Sequence, residues 1–73
     1  MTIDQIWDAI KQEKQVNWHN GIYEVYSVPV EKKNPYNSLS FRNGEAIRIE
    51  CTQNGFGGFI AESELKDVYI TNL

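Results

Sequence analysis

Cysteine occurs once in this chain, as Cys51, and histidine once, as His19. A single thiol excludes an internal disulfide. One thiol and one distant imidazole also fall short of the four ligands that a structural zinc takes. No metal and no cofactor are expected. Basic residues are few: Lys11, Lys14, Lys32, Lys33, Arg42, Arg48 and Lys66 are scattered against ten acidic residues, for a net charge of −3. Duplex nucleic acid is normally held by a clustered basic face, because affinity grows with each phosphate neutralised. General nucleic-acid binding is therefore disfavoured. Long apolar runs are missing, which argues against a membrane-spanning helix. Met1-Thr2-Ile3-Asp4 lacks the basic and then apolar regions of a signal peptide. With an unpaired thiol, this points to a reducing cytoplasm.

What the chain does have is the makeup of an ordinary folded domain, 41% hydrophobic and 12% aromatic. Its 73 residues form one domain. A core this small supplies only about 3–5 kcal/mol net, so good packing or self-association as a homodimer must make up the stability.

Thr2-Ile3-Asp4-Gln5 has the form of a capping box. Ile3, Ile6, Trp7 and Ile10 follow at i, i+3, i+4 and i+7, one stripe of an amphipathic helix. Asp4 near its start and Lys11 and Lys14 near its end suit the helix dipole. The spacing predicts a helix over residues 3–14.

The period then changes to two. Val16 to Val25 around Asn20-Gly21 predicts a hairpin with both turn residues at positive φ. It sets His19 opposite Ile22, Trp18 opposite Tyr23 and Val16 opposite Val25. Val16, Trp18, Tyr23 and Val25 then share the core face, and Asn17, His19, Ile22, Glu24 and Tyr26 the other. Pro29 ends or edges the strand, and residues 31–37 form a polar loop. At Asn43-Gly44 a two-residue turn would oppose Phe41 to Ala46 and Leu39 to Arg48. A wider loop, Arg42 to Ala46, opposes Phe41 to Ile47 and Leu39 to Ile49, so the wider loop is expected. Asn54-Gly55 predicts a further hairpin, with Gln53 opposite Phe56, Glu50 opposite Phe59 and Ile49 opposite Ile60. Ile60 and Phe56 join the core face, and Phe59 the outer one. Ala61 to Leu65 suits one helical turn, and Asp67 to Ile70 a last strand.

Gly58-Phe59-Ile60-Ala61-Glu62-Ser63-Glu64-Leu65-Lys66-Asp67-Val68-Tyr69-Ile70 resembles the end of SH3-like barrels, where a strand leads through one helical turn into a closing strand. The resemblance implies an α+β, mostly β fold: an N-terminal amphipathic helix followed by a five-stranded SH3-like antiparallel barrel over residues 15–71. The proline and tyrosine that peptide-binding members carry on that turn are absent, so proline-rich peptide binding is not carried over. The whole chain is also similar to short accessory proteins of bacteriophages and mobile elements, on Val16, Trp18, Asn20 and Tyr23. That likeness implies a host-cell setting and no activity.

No catalytic constellation stands out. His19 flanks a turn without an evident orienting partner, and Cys51 alternates with Ile47 and Ile49 as a buried residue does. Glu62 and Glu64 read as solvated charge. Gly55-Phe56-Gly57-Gly58 lacks the lysine of a phosphate loop. The expectation is a non-catalytic protein-binding module. Its contact residues are Ile22, Tyr26, Tyr36, Phe56, Phe59 and Arg48, residue types enriched at interfaces among them. Some of Ile22, Tyr26 and Phe59 are expected under the helix, the rest in an exposed patch. Two alternatives stay open. One is a single-strand nucleic-acid binder with Tyr26, Tyr36, Phe56 and Phe59 stacking and Arg42, Arg48, Lys32 and Lys33 on phosphates. The other is a small-ligand site between helix and barrel lined by Trp7, Trp18 and Tyr36.

Overall fold

The computed structural model describes residues 1–30 and 39–71. Its first element, α1 (Ile3–Lys11), starts where the capping box places it. The Thr2 hydroxyl accepts from the Gln5 amide at 3.1 Å, and the Gln5 carboxamide accepts from the Thr2 amide at 2.9 Å. The helix stops three residues before the expected Lys14. Glu13 takes φ 59°, its amide donates to Ile10, and the Lys14 amide donates to Ala9. This is a Schellman closure with glutamate in the position glycine usually holds. Ile6 and Ala9 are buried, and Ile3, Trp7 and Ile10 are half-buried beside them.

Five strands follow: β1 (Val16–Trp18), β2 (Asn20–Pro29), β3 (Glu45–Cys51), β4 (Gly57–Phe59) and β5 (Val68–Ile70). They form one antiparallel sheet in the order β4-β3-β2-β1-β5. A 3₁₀ turn, Glu62–Asp67, leads the chain from the β4 edge to the β5 edge. The expected closed barrel does not form: β4 and β5 remain the two edges. Ile6 and Ala9 of α1 pack into one cluster with Val16, Val25, Ile47, Ile49, Ile60 and Val68. The helix thus supplies the second layer that a barrel would otherwise obtain by curling the sheet onto itself.

Three turns differ from their sequence reading. In the first hairpin the positive φ falls on His19, at 63°, and on neither Asn20 nor Gly21. Val16 pairs with Val25 as expected, but a bulge sets Trp18 opposite Asn20 instead of Tyr23. The Trp18 and Tyr23 rings still meet edge to face, with centroids 5.1 Å apart. Asn17 explains the bulge. Placed by alternation on the outer face, it is fully buried, and its Nδ2 donates to the Tyr23 carbonyl at 3.0 Å and to that of Gly21 at 3.4 Å. Its Oδ1 accepts from Gln15 Nε2 at 3.4 Å and from the Thr71 hydroxyl. One side chain therefore ties β1, the following turn and the end of β5 together.

At Asn43-Gly44 the tight turn is the one that forms. Asn43 and Gly44 have φ 52° and 81°, and Arg42 and Glu45 exchange both backbone hydrogen bonds. The wider loop fails because residues 39–41 are not a sheet strand: β3 is already paired with β2 on one side and β4 on the other. Leu39 and Phe41 are exposed. Ser40 between them is buried, accepting from the Ile47 amide at 2.8 Å through its hydroxyl and from Trp7 Nε1 at 3.1 Å through its carbonyl.

The last hairpin is displaced by two residues. Arg48 pairs with Phe59, Ile49 with Gly58 and Glu50 with Gly57, and the Cys51 amide donates to the Phe56 carbonyl at 2.7 Å. A two-residue slip preserves which face each side chain takes. Cys51 and Ile60 are accordingly buried. Phe56 corrects the expectation: it stands opposite Cys51 but past the end of the core, and is 77% exposed.

Candidate functional site

In an antiparallel sheet, side chains that pair across strands share a face. Val25 pairs with Ile49 on the helix-covered face, so their neighbours Tyr26 and Arg48, themselves a pair, lie on the opposite one. Arg48 in turn pairs with Phe59. Tyr26, Arg48 and Phe59 thus form a row straight across β2, β3 and β4, spanning about 10 Å at ordinary strand spacing. All three are half-buried. Neither Tyr26 nor Phe59 lies under α1.

The next row on this face is Glu24, Glu50 and Gly57. Two carboxylates directly opposite each other repel, and the Arg48 guanidinium, with Nε 3.8 Å from Glu50 Oε1, offsets that repulsion. Tyr26 feels the same neighbours. Partial burial, then hydrogen bonding to Glu50 and its negative charge, push the Tyr26 phenol above its ordinary value of 10.0, while Arg48 pulls the other way. The hydroxyl therefore stays a neutral donor throughout the physiological range.

Ile22 is half-buried on the same face, beyond the acidic row, where its carbonyl accepts from both the amide and the hydroxyl of Thr52. Phe56 projects from the hairpin tip. Tyr36 falls outside the described residues, as do Lys32 and Lys33. Of the six expected contact residues, the structure brings Tyr26, Arg48 and Phe59 into one row, sets Ile22 at its margin, and places Phe56 at the hairpin tip on the helix side instead.

The arginines of the nucleic-acid reading are separated. Arg42 is on the helix side, 2.5 Å from Asp4 and stacked over Trp7 at 5.6 Å. Trp7 and Trp18, expected in one small-ligand site, line different cavities. Trp7, Ile10, Ser27 and Arg42 border one of about 310 Å³. Trp18, Tyr23, Phe56, Gly58, Phe59 and Glu64 border another of about 350 Å³. This second cavity was not legible in the sequence, because it depends on the two-residue displacement that brings Gly58 beside Ile49.

His19 is exposed, with Nδ1 3.4 Å from the Asn20 carboxamide nitrogen. Among the described residues, no three His, Cys, Asp or Glu side chains gather as a metal would need, and no helix is long and apolar enough to cross a membrane. Comparison with protein-family models, with curated proteins and with solved structures finds no match.

Proposed function

We propose that this chain is a non-catalytic protein-binding module whose contact surface is the helix-free face of the sheet, centred on Tyr26, Arg48 and Phe59. The observation that carries this reading is the division of the sheet: α1 packs on the Val25–Ile49 side, and the aromatic–arginine–aromatic row occupies the other. Tyrosine and arginine head the residue types on which binding energy concentrates, and here strand pairing holds them in place before any partner arrives. The strand order, with a 3₁₀ turn before β5, supports an SH3-like topology left open at its edges. An accessory role in a bacteriophage or mobile element, occupying a surface of a host or defence complex in the cytoplasm, is the setting this reading fits.

A photoreactive benzoylphenylalanine in place of Phe59, with a second probe in place of the exposed, helix-side Gln12, tests it in cells that make the protein. The expected result is a heavier cross-linked species from the Phe59 probe alone, lost on Arg48→Glu. A band at twice the chain mass would identify a second copy as the partner on that face. Equal yields from both probes, or none above the monomer from Phe59, would overturn the reading.

A further inference from the structure

The cavity beside β4 lies against a sheet edge, and the two together form a site of a different kind. Antiparallel pairing alternates: residues whose backbone groups bond to the neighbouring strand alternate with residues whose groups point away. Cys51 bonds to Phe56 and Ile60 to Ile47, which makes Ile49–Gly58 the bonded pair between them. The amides and carbonyls of Gly57 and Phe59 therefore point outward from the sheet. Natural edges are usually guarded by lysine, proline or a covering loop. This edge begins Gly57-Gly58, both exposed, and carries no such guard.

On the helix side of the same edge, Trp18, Tyr23, Phe56 and Gly58 line the cavity of about 350 Å³. Trp18 Nε1 is buried without an acceptor, the sole side-chain nitrogen or oxygen in that condition among the described residues. The charges are acidic on balance: Glu64 borders the cavity, and on the other face the paired carboxylates of Glu24 and Glu50 outnumber the single Arg48 guanidinium 3.8 Å from Glu50.

The geometry points to β4 as an acceptor edge that takes an extended, basic segment of a partner protein as a sixth strand. The partner's backbone pairs with Gly57 and Phe59, an apolar side chain enters the Trp18–Phe56 cavity, and the alternating lysine or arginine side chains fall on the opposite face, toward Glu50 and Glu24. Strand addition of this kind draws affinity from main-chain hydrogen bonds and specificity from alternate side-chain pockets. A second copy of this chain fits the edge less well, because each copy carries a net charge of −3. The inference rests on the protein-binding reading but uses the edge instead of the Tyr26 face, so the two fail separately.

The test is a titration of the isotopically labelled full chain with a short peptide alternating lysine with valine, read by amide exchange and by the Trp18 indole resonance. Exchange at Gly57 and Phe59 should slow by roughly tenfold or more at saturation, as newly paired edge amides do. The Trp18 signal should shift in step. Gly58→Val is the blocking variant: a Cβ at Gly58 meets nothing within 4 Å, and on the Ile49 side of the strand the valine side chain projects into the cavity where the partner's side chain would enter. That variant should lose the peptide response and keep the cross-link given by a benzoylphenylalanine in place of Tyr26, on β2 away from the edge. An equal response to a control peptide alternating glutamate with valine, unchanged amides at Gly57 and Phe59, or full binding by Gly58→Val would each overturn the proposal. Protection that grows with protein concentration and without peptide would also overturn it, in favour of a second copy.

Discussion

Gly57→Ala should leave the chain largely unfolded at room temperature, with urea unfolding followed by tryptophan fluorescence showing a loss of about 3 kcal/mol or more. The cause is a collision with backbone. A Cβ on Gly57 would sit 1.9 Å from the Ile49 carbonyl oxygen and 2.9 Å from the Glu50 Cα. No rotamer change relieves that contact, because both atoms belong to the strand against which β4 is hydrogen-bonded. The hairpin must separate, and with it go the pairing of Ile49 with Gly58 and the route that carries Ile60 into the core. A chain this short has about 3–5 kcal/mol in total to lose. Gly58→Ala is the control one residue away. Its Cβ meets nothing within 4 Å, so its stability should stay within about 0.5 kcal/mol of the parent.

Asn17→Leu should cost about 2–4 kcal/mol, although leucine repeats asparagine's branched skeleton of side-chain heavy atoms. The expense lies in what is left behind. Without Nδ2, the Gly21 and Tyr23 carbonyls lose a donor in a place where Asn17 is 0% exposed, and the Thr71 hydroxyl and Gln15 amide lose their shared acceptor. Asn17→Asp should be worse at neutral pH than in mild acid. The N17D carboxylate would face two carbonyl oxygens in a buried position, which disfavours its charged form and raises its folded-state pKa above the ordinary carboxyl value of about 3.9. A group raised in the folded state leaves stability intact below its unfolded pKa and withdraws it as pH rises through the folded value. The unfolding midpoint of Asn17→Asp should therefore approach that of Asn17→Leu near pH 4 and fall below it by pH 7. A midpoint independent of pH would show that the position is hydrated.

The parts of the fold legible in the sequence were those decided within four or five residues. The capping box at Thr2 and Gln5 is one. The tight turn at Asn43-Gly44 is another, and its local signal was sound. Apolar alignment with Leu39 and Phe41 argues against it, but that alignment requires a strand beside β3, whose two sides are taken by β2 and β4. Parts decided by distant groups were not legible. Asn17 recruits the Gly21 and Tyr23 carbonyls, the His19 amide donates to Asp67, and together they move the first turn off Asn20-Gly21. The end of α1 carried no glycine or proline to mark it, because Glu13 adopts the left-handed position instead.

The candidate site fared better than the register that produced it. The Asn54-Gly55 turn sets Phe59 opposite Glu50 where the structure has Arg48, yet its face is the same because the slip is an even number of residues. That is why Tyr26, Arg48 and Phe59 could be grouped from alternation alone. Their separation from α1 could not, since helix stripes and strand faces give no clue to which face the helix chooses. The Trp18 cavity was likewise invisible, as it joins a bulged hairpin, a displaced hairpin and a 3₁₀ turn.

The division of the sheet into a helix-covered face and a free one is most directly tested by nuclear Overhauser contacts in the dilute chain. Side-chain protons of Ile6 and Ala9 should show contacts within the cluster of Val16, Val25, Ile47 and Ile49, and the rings of Tyr26 and Phe59 should show none to α1. Contacts from α1 to either ring would place the helix on the other face and contradict the account.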